Sequence, residues 1–456
     1  MKNRAIRVAM ISEHASPMAL LGGEDAGGQN VYVDELSRHL VPLGFEVDVF
    51  TRLESESAKE VNQWADGVRV INVRAGPPVY LKKDLLLEHM SEFRDNMLRF
   101  ARDSNLRYDA IHAHFWMSGW VGCEIKRVWD IPLVQTFHAL GVIKRIHQGK
   151  ADTSPEERLS VERRIVREAD RVVATCPVEQ DDLEHYYGCD PCKVTVIPCG
   201  VNTSLFEPVD RTMARRELQL SDADKVVVYV GRVLPRKGID NVIEGVAALC
   251  QSTAHQVVLV IVGGETDQAM PENDQEMGRL AELARSLGIA GRVRFAGRRP
   301  QSALKLYYSA ADVCVTTPWY EPFGMVPLEA MACGTPVIAA AVGGLKFSVV
   351  DHATGFLVPP KDPAALAEKL DLILSNDDLR RRQGNRARKR VEQWFTWPKV
   401  AARIAAVYEE LVYGQAFRRR SDPDLLPKDI AGDNVDQPGG PNPPAAQRHR
   451  LRSDGG

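Results

Sequence analysis

The chain is short of the features that would place it at a glance. It has no marked excess of charge: 58 basic and 61 acidic side chains leave a formal net charge of -3 over 456 residues. That balance offers no global basic face for nucleic acid. No apolar run approaches the ~20 residues of a membrane span. The opening MKNRAIRVAMISEH is no convincing signal peptide, because Arg7 interrupts a short apolar run. The expected location is therefore cytoplasmic. Eight cysteines are scattered, and the one CxxC, Cys189 and Cys192, has no second ligand pair at zinc spacing. They read as incidental reduced thiols. The phosphate fingerprints GxGxxG and GxxxxGK[ST] are also missing, which argues against a dehydrogenase and a P-loop enzyme.

What is present is a repeated alternation. Short apolar runs at 6–12, 46–51, 68–73, 109–114, 132–137, 171–175 and 193–198 are separated by amphipathic segments such as VYVDELSRHLVPLG, with Gly44 as a stop. The pattern restarts beyond PCGVNTSLFEP (198–208), with runs at 225–231, 256–264, 292–297, 312–317, 336–340 and 355–359. Near-continuous apolar strands between helices predict parallel sheets covered on both faces. The fold class expected is α/β, with two doubly wound, Rossmann-like domains facing a central cleft. The first spans 1–200 and the second 205–395. A helix at about 396–413 ends a helical stretch that starts near 362. The segment 414–456, rich in Pro, Gly and charge, is expected to be disordered.

Three segments carry chemistry-bearing residues. After the first run, Gly22, Gly23, Gly27 and Gly28 form a loop that opens a helix. Such a loop lets backbone N–H groups approach an anion, although a flexible turn explains it equally. After the first run of the second half, VGRVLPRKG places Arg232 and Lys237 five positions apart at a strand's carboxyl end. A guanidinium fork and an ammonium could hold a diphosphate; the alternative is a solvated basic turn. In EPFGMVPLEAMACGTP, Glu321 lies in a loop and Glu329 in the helix that follows. That helix begins near Pro322–Gly324, and its free amides suit a phosphate. Glu329 could accept hydrogen bonds from vicinal hydroxyls, and Glu321 from a sugar ring.

With GGEDAGGQNVYV, HAHFWMSG, TFHALGVIK, GRVLPRKG and GTPVIAAAVGG in the same order, EPFGMVPLE resembles the E-x7-E motif of retaining glycosyltransferases of family 4. The likeness covers about residues 5–412, and the most similar branches are the sucrose-phosphate synthases, the sucrose synthases and the mycothiol-type glycosyltransferase. It implies a GT-B fold. It implies that Glu329 binds the nucleotide ribose and Glu321 the donor-sugar hydroxyls. Arg232 and Lys237 would hold the diphosphate, and His138 would contact the sugar near its reacting carbon. Gly27 and Gly28, with backbone amides around Gly324 and Met325, would approach the phosphates. The donor implied is a UDP-sugar, either UDP-glucose or UDP-N-acetylglucosamine, used as co-substrate rather than cofactor.

Glycosyltransferases of the other large fold grip a metal with DxD. Here DAD (222–224) precedes a strand and DPD (422–424) falls in the final segment, so no catalytic metal is expected. No acid in the motifs stands out as a nucleophile of the kind retaining glycosidases use. A front-face mechanism is therefore implied. For the acceptor, the resemblance points to Lys83 with Lys82, to Arg158 with Arg163 or Arg164, and to Lys144 with Arg145, which would suit a small phosphorylated molecule. Phe115 and Ala139 stand where mycothiol-type enzymes carry Tyr and Thr, which counts against an identical acceptor. The competing readings are another GT-B enzyme, such as an epimerase, and a protein that binds nucleotide sugars without transferring them. Oligomeric state leaves no signal in the sequence.

Overall fold

A computed structural model describes residues 5–19, 27–272 and 274–414. Gly22, Gly23 and the final segment from 415 lie outside the described residues. The first half carries strands β1 (Ile6–Ile11), β2 (Phe45–Arg52), β3 (Val61–Ala65), β4 (Val68–Val73), β5 (Ala110–His114), β6 (Leu133–Thr136), β7 (Arg171–Ala174) and β8 (Val194–Val196). Its helices are α1 (Gly28–Leu40), α2 (Met90–Asp103), α3 (Trp116–Trp129), α4 (Gly141–Gln148), α5 (Arg158–Glu168) and α6 (Pro177–Tyr187). The strands form one eight-stranded sheet in the order β3-β4-β2-β1-β5-β6-β7-β8. All its pairings are parallel except that of β3 with β4. Parallel pairing follows from apolar runs that bury both faces: β5 is buried at every position. Gly44 closes the turn after α1 in a left-handed conformation, its N–H bonded to the Val41 carbonyl.

The second half repeats the plan with β9 (Lys225–Val230), β10 (Val257–Val262), β11 (Val293–Gly297), β12 (Val313–Thr316), β13 (Val337–Ala340) and β14 (Gly355–Val358). They form an all-parallel sheet in the order β11-β10-β9-β12-β13-β14. Helices α7 (Arg211–Glu217), α8 (Ile239–Ser252), α9 (Gln275–Ser286), α10 (Gln301–Ala310), α11 (Met325–Ala332), α12 (Leu345–Ser348), α13 (Pro363–Leu374) and α14 (Asp377–Trp394) accompany it.

The last helix, α15 (Trp397–Tyr413), returns to the first sheet. Tyr408 bonds His112 on β5 at 2.6 Å, Glu410 pairs with Arg171 on β7 at 3.1 Å, and Trp397 packs edge-on against Tyr32 on α1. The chain therefore passes between the halves twice. The two passages touch, with the Val201 N–H donating to the Phe395 carbonyl at 2.7 Å.

Strand order reverses at β1/β5 in the first sheet and at β9/β12 in the second. In doubly wound sheets the crevice beyond the carboxyl ends at such a reversal is where ligands bind. The motif residues cluster at these two places.

Candidate active site

The loops after β9 and β12 meet at the second reversal. Lys237 ends the β9 loop and Glu321 lies in the β12 loop; the Lys237 ammonium and the Glu321 carboxylate form a partly buried ion pair. The loops are also tied by backbone, the Trp319 N–H donating to the Arg236 carbonyl at 2.9 Å. Burial lowers Lys237 below its ordinary value, and Arg236 and Arg232 push the same way against Glu321. Burial alone would raise Glu321, but Lys237, then Arg236 and Arg232, outweigh it and leave the carboxyl below its usual range. Burial leads the Lys237 shift, whereas the neighbouring cations decide the direction for Glu321. Lys237, Arg236 and Arg232 all act on the Glu321 carboxylate and favour its charged form. A second anion bound here would be attracted by the same cations.

Just beyond Glu321, Gly324 precedes α11 with φ of +84°, a conformation glycine adopts without strain. A Cβ there would also press on Leu345 at 2.7 Å. Gly343, after β13, has φ of +45°, and any Cβ on it would collide with the Glu321 carbonyl oxygen. The carbonyl also accepts from the Gly344 N–H at 3.1 Å. The glycine pair of GTPVIAAAVGG thus lets one loop lie directly on the backbone of Glu321. Glu329, on α11, is buried, and the Tyr308 hydroxyl donates to its Oε2 at 2.7 Å. Burial raises Glu329; Tyr308 and Gln301 oppose it.

The first domain supplies the opposite wall. α1 begins at Gly28, and a Cβ on Gly28 would sit 3.9 Å from Met325 Cε at the start of α11. The N-termini of α1 and α11 therefore face one another across a narrow gap, where both helices favour an anion. Gly27 precedes α1, its N–H held by the Asn30 side chain at 2.8 Å. His138 follows β6 with φ of +60°, unusual for a residue with a Cβ and a mark of a constrained site. Its Nε2 lies 3.0 Å from Nδ1 of His114, and its ring meets Tyr32 edge-on at 5.0 Å. Burial, then nearby His14, lowers His138 to about 3.

Two of the three acceptor candidates, Lys144 and Arg158, meet at the segment 152–154, which also contacts the neighbour of the third. Lys144 Nζ pairs with Asp152 at 2.9 Å and donates to Ser154 Oγ at 2.9 Å. Arg158 also donates to Ser154, at 3.2 Å, and Thr153 donates to Asp84, the neighbour of Lys83, at 2.6 Å. Arg158 is buried, paired with Glu162 at 2.8 Å and lying over the Phe115 ring at 5.1 Å. Lys144 too is engaged by Asp152.

Several contributors escape sequence reasoning. Arg236 looks like any basic loop residue, and Tyr308 comes 21 positions before the carboxylate it bonds. His114 offered one signal: His112 and His114, two apart on a strand, share a face. Their rings lie 4.1 Å apart. Among the described residues no three His, Cys, Asp or Glu converge as a metal site, all eight cysteines are free, and no helix is long and apolar enough to cross a membrane.

Comparison with known proteins agrees with this architecture. Residues 26–205 match the family model Glycosyltransferase Family 4, and residues 210–390 match Glycosyl transferases group 1. The chain is 39% identical over 407 residues to the D-inositol 3-phosphate glycosyltransferase of Corynebacterium diphtheriae, covering 88% of this chain and 94% of that one. It is 39% identical over 420 residues to the enzyme of the same name from Salinispora arenicola, covering 90% and 93%. Among solved structures it superimposes on a sucrose-phosphate synthase from Thermosynechococcus elongatus with a TM-score of 0.81 at 37% identity, over 90% of this chain and 99% of that one. The two facing sheets, the motif-bearing loops at their reversals and these matches show that the chain is a glycosyltransferase of family 4 with the GT-B fold.

Proposed function

We propose that the protein transfers a hexosyl group from a UDP-sugar, UDP-glucose or UDP-N-acetylglucosamine, to a hydroxyl of a small phosphorylated polyol or sugar, with retention and without a metal. The observation that carries this reading is the cluster of cations gathered beside Glu321. Lys237 pairs with Glu321, Arg236 lies over the ring of the adjoining Tyr320, and the N-termini of α1 and α11 face the same gap. A nucleoside diphosphate is the leaving group that such a site stabilises as charge builds on it. Arg232 and Lys237 draw off that charge, Gly28, Gly324 and Met325 offer backbone amides while Gly27, whose N–H is given to Asn30, lines the approach, Glu329 holds the ribose, and Glu321 and His138 hold the sugar.

Glu321 is committed to Lys237, which disfavours it as a nucleophile. The front-face route fits this better, with the departing phosphate oxygen taking the acceptor's proton as the new glycosidic bond forms on the same side. Both relatives' names contain a phosphorylated polyol or sugar. Lys144 and Arg158, which meet at Ser154 beside the Lys83 segment, are the cations proposed to face the acceptor phosphate. Inositol phosphate, named in the curated relatives, is one such acceptor.

The test is a screen of donors against acceptors with products read by mass spectrometry, fructose 6-phosphate and inositol phosphate included. The expected result is an acceptor heavier by one hexosyl unit, formed equally well after chelation of metals. Lys237→Ala should abolish most of that product while the protein stays folded. Tight UDP-sugar binding with no product from any acceptor would leave a binding protein, and a sugar rearranged without an acceptor an epimerase. A sugar trapped covalently on Glu321 would exclude the front-face route.

A further inference from the structure

We propose that His114 sets the tautomer of His138, so that His138 Nδ1 presents a hydrogen to the sugar nucleotide; this rests on the reading of His138 as a donor-sugar contact. One of the two facing nitrogens, His114 Nδ1 and His138 Nε2, must supply the proton of their 3.0 Å hydrogen bond. If His138 supplied it, neutral His114 would carry its own proton on Nε2. That atom is buried and has no partner. A buried N–H without an acceptor is among the rarest defects in folded proteins, whereas a bare lone pair is better tolerated.

His112 offers no way out. Its ring lies tilted beside that of His114, but its nitrogens are taken by the Tyr408 hydroxyl at 2.6 Å and Thr136 Oγ1 at 2.8 Å. Nor is a charged form available, since burial holds both His114 and His138 far below the ordinary histidine range. His114 therefore donates from Nδ1, and His138, accepting at Nε2, carries its own proton on Nδ1. No described residue bonds His138 Nδ1. An N–H there donates to a sugar or phosphate oxygen that gains negative charge during transfer; a lone pair would repel it. His114 touches no reacting atom on this account and is a positioning residue.

The direct test uses the full-length protein labelled with 15N-histidine, without substrate. Long-range 15N–1H spectra report which nitrogen of each ring is protonated, and His138→Gln assigns the His138 signal. Protonated Nδ1 with bare Nε2 on His138 is expected; the opposite tautomer overturns the proposal. In kinetics, His114→Phe should lower kcat about tenfold or more with UDP affinity unchanged. His114→Asn, which keeps a donor nitrogen near the same place, should recover most of the loss. Equal losses in both variants would mean that His114 merely packs, and would overturn the proposal; if His114→Phe does not fold, the wild-type spectra decide. A fully active His138→Gln beside an intact Nδ1–H tautomer would overturn the donor-sugar reading instead, and with it the use of the tautomer in transfer.

Discussion

At the scale of single residues, the two motif acids differ in what holds them. Glu321 is tied to an ammonium, whereas Glu329 is buried and accepts from a phenol. Their roles should separate accordingly. Glu329→Ala should weaken bare UDP by about 10- to 100-fold, the worth of charge-assisted hydrogen bonds of about 1.5–3 kcal/mol. Glu321→Ala should change bare UDP little and the intact sugar nucleotide much more. Titration calorimetry with both ligands checks this, and equal loss of UDP in the two variants contradicts separate roles. The pH response follows from the same cluster. The Glu321 shift is downward, so the stability gained from its pairing is complete above the ordinary carboxylate value and is lost only as pH falls through the depressed one. Lys237 is also shifted down, from 10.5, so its charge fades at lower pH than that of an ordinary lysine. UDP affinity should therefore decline on the alkaline side before 10.5 is reached. The sequence displayed the acids and Lys237 because they sit in local motifs. It hid Tyr308, Arg236 and the tie of His114 to His138, because what gives those residues meaning is a neighbour supplied by another element.

At the scale of elements, the apolar runs marked thirteen of the fourteen strands, since a strand buried on both faces leaves a run with few polar interruptions. The exception, β3, is the antiparallel edge strand. Its residues Val61–Ala65, VNQWA, are exposed or half-exposed, so it has no apolar run to reveal it. Glycines were harder to read, because their purpose lies in what approaches them. Gly343 shows this: nothing nearby in sequence predicts that the Glu321 carbonyl lies where its side chain would be. Gly343→Ala should force the β12 loop away from the β13 loop. Overpacking and the positive φ together should destabilise by about 1–3 kcal/mol. A lowered melting temperature should come with weakened UDP-sugar binding, whereas unchanged values for both would mean that the loops part freely.

At the scale of the molecule, two sheets become one enzyme through contacts that no local pattern displays. The chain crosses twice, the crossings are bonded to each other, and α15 ties the end of the chain to the first sheet through Tyr408 and Glu410. Across the cleft a second set of contacts holds the halves together. The ring of Tyr320, next to Glu321, stacks on His147 of α4 at 5.2 Å. Its hydroxyl accepts from Gln148 at 2.9 Å, and Arg236 lies 5.7 Å from its ring centre. Closure is thus bound to the same loop that places the sugar carboxylate, so donor binding and domain approach should reinforce one another. A stacked pair and a hydrogen bond are together worth about 2 kcal/mol. Their loss in Tyr320→Ala should shift the balance between closed and open forms about 30-fold toward open, at about 1.4 kcal/mol per factor of ten. Small-angle scattering should then show a larger radius of gyration without ligand, restored by saturating UDP-sugar, and KM for the donor should rise more than kcat falls. If the variant scattered like the parent in both states, the Tyr320 contacts would be a consequence of closure and not one of its causes.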